Sequence, residues 1–447
     1  MRVFVYLLSA LALCQAYDYK EVLRDSILFY EAQRSGKLPS DQRVTWRKDS
    51  ALNDKGQKGE DLTGGYYDAG DYVKFGFPMA YTITTIAWGI VDQEAGYNSA
   101  SALADARKLI KWGTDYFIKA HVSQNELYGQ VGQGDVDHAY WGRPEDMTMS
   151  RPAYKIDTSH PGSDLAGETA AALAAASIVF QSADSGYAST LLTHAKQLFD
   201  FANNYRGKYS DSITDAQSFY ASGDYKDELV WAAVWLYRAT NDNTYLTKAE
   251  QLYNDFGLGN WNGGFTWDQK ISGLQVLLAK IKGTQSYKDK VQGYCDYITT
   301  SQQKTPKGLV YIDQWGSLRM AANAAFICAQ AADLGINAAS YRAFAKKQID
   351  YILGDTGRSF VIGYGTNPPT HPHHRSSSCP DAPAVCDWNA YNSASPNVHV
   401  LTGALVGGPD SSDNYKDERS NYISNEVATD YNAAFQGLLA YLIKNNL

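Results

Sequence analysis

Apolar residues recur with a period near 3.6 through most of this chain, separated by polar stretches rich in Gly, Asp and Tyr. The pattern predicts twelve helices: 19–36, 79–94, 99–121, 164–183, 187–207, 227–241, 243–256, 270–283, 286–302, 317–335, 338–355 and 424–445. "DLAGETAAALAAASIVF" and "SLRMAANAAFICAQAADLG" carry it most strongly. Ser99, Asp164 and Ser424 stand where N-caps are expected. β-branched alternation is scarce, so strands are expected only as short hairpins within loops.

Most links within helix pairs are two to five residues, which implies antiparallel hairpins. Twelve helices make six hairpins, and six hairpins can close into a ring. The expected fold is therefore all-α, one α/α toroid over 17–447. No Pro/Ser-rich linker, composition shift or fixed-period repeat marks an internal boundary. Four connections are long: 37–78, 122–163, 303–316 and 356–423. Long structureless loops in a compact domain usually serve function. Emerging on one end of a ring, these four would build a cleft.

Composition narrows the class. Arg2 precedes an apolar run from Val3 to Cys14, followed by small Ala16. That is a secretory signal peptide over 1–16, too short to span a bilayer. The expected product is secreted and monomeric. Formal net charge is −8 with acids and bases interspersed, so nucleic acid and anionic membrane are not expected partners. Cys379 and Cys386 flank "PDAPAV" and are expected to pair in an oxidising compartment. Cys295 and Cys328 lie in helical patterns and read as buried thiols. The chain holds 33 Tyr and 10 Trp, many in Gly-rich polar stretches, where amphipathic rings suit a sugar.

Candidate chemistry sits in the loops. "GGYYDAGDYVKFGFPMA" sets Asp68 and Asp71 three residues apart, close enough to hold one water between them. A calcium loop or a helix cap is the alternative. Glu426, among Tyr422, Val427 and Tyr431, is either a first-turn acid of the last helix or a carboxyl kept protonated by partial burial. His371, His373 and His374 lack a completing zinc ligand, so His373 and Arg375 read as hydrogen-bond donors to a polar ligand. His138, Trp141, Trp261, Trp267, Trp315 and Arg319 offer rings and polar edges, with core packing as the alternative. Ser222, Gly223, Asp227 and Glu228 offer calcium ligands, and Asp227 equally suits a helix cap.

Together these motifs resemble the family 9 glycoside hydrolases, the inverting cellulases. The resemblance spans 17–447 and rests on Gly64–Ala80, on "SFVIGYGTNPPTHPHHR" and on "YKDERSNYISNEVATDYNA". It implies an (α/α)6 barrel and an endo-β-1,4-glucanase that takes cellulose and cello-oligosaccharides. It further implies Asp71 as base, Asp68 as partner in holding the water, and Glu426 as general acid. His373, Arg375, Tyr431, His138, Trp141 and Trp315 would contact sugar, and Asp417 would support them. The resemblance calls for no organic cofactor. It implies structural calcium near Ser222–Glu228, with Asp268 as a further ligand. No carbohydrate-binding module is expected within this length. An exo-acting β-glucan hydrolase and a non-catalytic carbohydrate-binding protein are the rival readings. The presence of all three acids argues against the second.

Overall fold

The computed structural model describes residues 17–261 and 263–447; the expected signal peptide lies outside them. Among the described residues, twelve helices have twelve residues or more. They are α1 (Tyr19–Gln33), α2 (Gly76–Ser99), α3 (Leu103–Ala120), α4 (Ser163–Phe180), α5 (Ser185–Asn204) and α6 (Lys226–Thr240), then α7 (Asn243–Asp255), α8 (Ile271–Lys282), α9 (Gln285–Thr300), α10 (Ser317–Asp333), α11 (Ala338–Asp350) and α12 (Ala433–Lys444). The even-numbered helices pack in a closed circuit, α2–α4–α6–α8–α10–α12 and back to α2, and the odd-numbered ones lie outside it. This is the expected (α/α)6 barrel.

The sequence explains which helix goes where. α4 is apolar on all sides, and both its faces are covered. It is long and apolar enough to cross a membrane, yet 94% of its apolar window is buried inside the protein. α5 buries only Ala188, Leu191, Ala195, Leu198, Phe199, Phe201 and Ala202, the single stripe of an outer helix. Trp88 of α2 meets Trp231 and Trp235 of α6 and Phe326 of α10 at 4.9–6.2 Å between ring centroids, so aromatic side chains fill the barrel interior. Where α2 crosses α12, a Cβ on Gly89 would stand 2.9 Å from the Gly437 Cα, so this close approach requires glycine.

Alternation of outer and inner helices sorts the connections. Links from an inner to the next outer helix are two to four residues: 100–102, 181–184, 241–242, 283–284 and 334–337. Links from outer to inner are long: 34–75, 121–162, 205–225, 256–270, 301–316 and 351–432. All long links thus gather at the end where the inner helices begin. A small antiparallel sheet, β1 (Lys74–Phe75), β2 (Leu127–Val131) and β3 (Ala153–Ile156), ties the first two together, with Lys74 opposite Val131 and Leu127 opposite Ile156.

Several boundaries differ from expectation. Two further long links, 205–225 and 256–270, join the four read from sequence. Ser99 ends α2 instead of capping α3, which starts behind Ala102. Asp164 sits inside the first turn of α4, where its carboxylate accepts from the Leu165 and Tyr209 N–H groups, both at 2.8 Å. The expected helix 424–445 begins only at Ala433. Before it, Tyr422–Asn425 form one short turn capped by Asn421, and Ser424 donates to that cap. Glu426 and Val427 are then extended and bridge His373 and Val406. Pairing with distant loops overrides the local helical pattern there. Asp227 likewise is no cap; it lies in the first turn of α6 and accepts from the Lys270 N–H at 2.7 Å.

Candidate active site

Backbone contacts draw the three sequence motifs together. The Asp68 N–H donates to the Val73 carbonyl at 3.0 Å, folding the 68–73 segment back on itself. The Arg375 N–H donates to the Gly70 carbonyl at 3.2 Å, and the Thr429 N–H to the Asp68 carbonyl at 2.9 Å. A Cβ on Gly70 would fall 2.0 Å from the His373 oxygen, so glycine permits this junction. The His373 N–H donates to the Asn425 carbonyl at 2.8 Å. Asp68, Asp71, His373, Arg375 and Glu426 consequently line one cavity of about 960 Å³ at the long-loop end.

The acids there differ in environment. Burial opposes ionisation of Asp71, but the His138 hydrogen bond and charge, with Arg375 behind, outweigh it and hold the carboxyl below its ordinary range. The His138 Nε2 lies 3.4 Å from Asp71 Oδ2, and the imidazole is itself pushed up despite burial by that contact. Asp68 goes the other way: burial first, then the Asp71 charge, raise it well above its ordinary value. Its Oδ2 accepts from the Tyr220 hydroxyl at 2.5 Å, while its buried Oδ1 has no protein partner. Glu426 accepts from the Trp315 indole N–H at 3.1 Å. Burial and the Asp71 charge push Glu426 up to about 7. Burial also lowers His373 to about 4, so it is neutral, and its Nδ1–H donates to the Arg419 carbonyl at 2.8 Å.

Aromatic rings form the walls. Trp315 (42% exposed), Trp388 (43%) and Tyr422 (47%) present open faces. Trp141 is buried; its indole N–H is tied to Ser378 at 3.0 Å and its ring backs His373 and Tyr391. It shapes the wall and is no open platform. Arg319 donates to Asp430 at 2.8 Å and to the Trp315 carbonyl at 3.0 Å, with its guanidinium 4.9 Å from the Tyr431 ring centre. Tyr431 is buried and its hydroxyl has no protein partner. Phe219, Tyr220, Trp267, Trp388 and Tyr391 also line the cavity. All but Trp267 escaped the sequence reading, as did Asp137, which pairs with Arg375. For Phe219, Trp388 and Tyr391, rings set in polar loops were the available signal.

Other predicted residues lie apart. Trp261 is not among the lining residues and has Lys226 over its ring at 5.7 Å. Asp417 accepts from the Thr370 and His371 N–H groups at 2.8 and 2.9 Å, so it shapes the loop that delivers His373, while His371 bonds Asp417 itself. His374 is buried against Gln33 at 2.8 Å. Cys379 and Cys386 are disulfide-bonded, and Cys295 and Cys328 are buried free thiols.

The proposed calcium ligands form part of a buried acid cluster. Lys270 Nζ stands 3.0 Å from Glu228 and 3.3 Å from Glu168. Asp268 accepts from the Gly223 N–H at 2.7 Å, and the Ser222 hydroxyl donates to the Asp224 carbonyl at 2.8 Å. Burial raises Asp164 to about 7 and Asp268 to about 6. Glu228 Oε2 and Asp164 Oδ2 are buried without a protein partner. Excess buried negative charge with orphaned oxygens fits a cation. Asp227, Glu228 and Asp268 do not, however, bring one oxygen each within 4.8 Å of one another. Asp164 and Glu168, acids in an otherwise apolar helix, were the overlooked signal.

Comparison with known proteins agrees with this geometry. The chain is 49% identical to Endoglucanase A of Bacillus pumilus, covering 96% of this chain and 67% of that protein. An endoglucanase structure from the termite Nasutitermes takasagoensis shares 74% identity at a TM-score of 0.96, covering 97% of this chain and 100% of that one. Endoglucanase CelQ of Clostridium thermocellum, solved with cellobiose and cellotriose, shares 35% identity at a TM-score of 0.86, covering 96% of this chain and 71% of that one. The model of glycosyl hydrolase family 9 matches residues 19–439, and the chain belongs to that family.

Proposed function

We propose that this protein is an endo-β-1,4-glucanase that cuts cellulose chains with inversion, Glu426 acting as general acid and Asp71 as general base. One observation carries the assignment: two carboxyls line one cavity and their environments push their pKa values apart. Glu426, up at about 7, keeps its proton near neutrality and gives it to the leaving glycosidic oxygen. Asp71 stays ionised and takes a proton from a water attacking the anomeric carbon on the opposite face. Asp68 offers its unpartnered Oδ1 to the same water, and Tyr220 fixes its other oxygen. Trp315, Trp388 and Tyr422 stack on sugar rings. His373 and Arg375 flank the reacting ring. The cello-oligosaccharides bound to CelQ support this substrate class.

The first test is the anomeric configuration of fresh product from a cello-oligosaccharide, read by proton NMR. Wild type should give α-product. Asp71→Asn and Glu426→Gln should each lose at least about 10²-fold in rate while remaining folded. β-Product, or normal activity in Asp71→Asn, would overturn the assignment. Early loss of viscosity in a soluble cellulose derivative separates endo from exo cleavage.

Three further readings belong to this proposal. The enzyme is secreted after removal of 1–16, and 17–447 is a single catalytic unit. A calcium ion would neutralise the buried acid cluster in a structural role, and Asp227, Glu228 and Asp268, with Ser222 and Gly223, would have to close on it from the more open arrangement seen here.

A further inference from the structure

Asp137 has no part in the mechanism above, yet it lies at its centre. It is 1% exposed and sits on a short helical turn, Gly134–His138, that also carries His138. Its Oδ1 accepts from Arg375 Nη1 and from the Tyr72 N–H at 3.2 Å. Its buried Oδ2 has no protein partner. One oxygen of Asp71, one of Asp137 and one ring nitrogen of His138 all lie within 4.8 Å of one another. A buried carboxylate with an unpaired oxygen is costly, and replacing it by a neutral group would relieve that cost.

We propose that Asp137 is a positioning residue: it anchors the Arg375 guanidinium at the cleft wall and supplies the second negative charge that keeps His138 protonated beside Asp71. The argument is charge balance. Two acids, Asp71 and Asp137, face two bases, Arg375 and His138; burial raises Asp137, and the Arg375 charge and hydrogen bond oppose that and favour its carboxylate. The remaining groups facing His138 are Glu426 and His373, both neutral near pH 6, and the edge of the Phe219 ring at 4.9 Å. Without Asp137, the Arg375 charge cancels that of Asp71, and a partly buried imidazolium has no net partner. A neutral His138 then holds the Asp71 carboxylate less well. The catalytic consequence rests on Asp71 being the base; the effect on His138 does not.

The test is an NMR titration of the His138 ring proton, assigned with His138→Gln, in wild type, Asp137→Asn and Arg375→Met. Asp137→Asn should lower the His138 midpoint by on the order of one unit, and Arg375→Met should raise it. Activity of Asp137→Asn should then fall at every pH, because Arg375 loses its charged anchor, and roughly tenfold further above the new midpoint than below it. A purely structural role would give a loss uniform in pH. An unmoved or raised midpoint in folded Asp137→Asn overturns the proposal. Should that variant fail to fold, an unmoved or lowered midpoint in Arg375→Met does so. Asp71→Asn with normal activity would sink the base assignment and leave the His138 result standing.

Discussion

Trp315→Phe isolates one contribution to the proton affinity of Glu426. Burial and the Asp71 charge raise it, the Trp315 hydrogen bond lowers it, and the balance lies at about 7. The indole N–H donates to Glu426 Oε2 at 3.1 Å and so favours the carboxylate. A hydrogen bond to a charged group contributes ~1.5–3 kcal/mol where water is excluded. Trp315 is 42% exposed, so water replaces part of the lost bond. Roughly half remains, and at ~1.36 kcal/mol per pKa unit this is about 0.5–1 unit. Removing a donor to the ionised form favours the protonated form, so the pKa rises. The acid then keeps its proton to higher pH, and the alkaline limb of kcat/KM moves up by that amount. Phenylalanine retains a ring, though a smaller one, so KM should rise as well; the limb's midpoint is read, not its height. The assay is initial rate on a cello-oligosaccharide from pH 4 to 9. A midpoint that stays or falls would mean that Glu426 is not the acid titrating there.

Two other perturbations probe the scaffold. Gly70→Ala places a Cβ 2.0 Å from a backbone oxygen that cannot rotate away. It should destabilise by about 1–3 kcal/mol and separate Arg375 from Asp71, so both Tm and kcat fall; wild-type values for both would refute the close approach. Chelation should lower Tm and added calcium restore it, because a ligand bound only by the folded state stabilises it. A Tm indifferent to both would remove calcium from the acid cluster.

The fold was legible because helical periodicity survives in every barrel helix and short links fix antiparallel neighbours. The acids in Gly64–Ala80 were legible because no packing period explains them. Glu426 was legible as a candidate of the cleft, which it lines, but not in its conformation. Apolar spacing runs through 424–445, while the bridges to His373 and Val406 that break the helix come from distant segments. Tyr220, Asp137 and Asp430 were illegible for the same reason. Their partners Asp68, Arg375 and Arg319 lie 152, 238 and 111 residues away in sequence. A residue whose role is set by a partner that remote carries no local mark of it. Trp141 shows the limit from the other side: it lines the cavity as a sugar contact should, yet its ring is buried against His373, Trp388 and Tyr391, which a Trp in a polar loop does not announce.

The barrel gives both acids the same electrostatic setting, so their difference must be local. Every inner helix points its N-terminus at the cleft, and helix dipoles there favour carboxylates. That influence fades within a turn, and both acids stand further out: α2 begins at Gly76, beyond Asp71, and α12 at Ala433, beyond Glu426. What separates them is who touches them. Asp71 has two cationic neighbours, His138 and Arg375, delivered by the links preceding α4 and α12. Glu426 has one neutral N–H, from the link preceding α10, and it faces the charge of Asp71. In the proposed mechanism, the roles of base and acid thus follow from loops contributed by different hairpins. Closing the ring is what brings those loops together, which ties the all-α fold to the chemistry at its mouth.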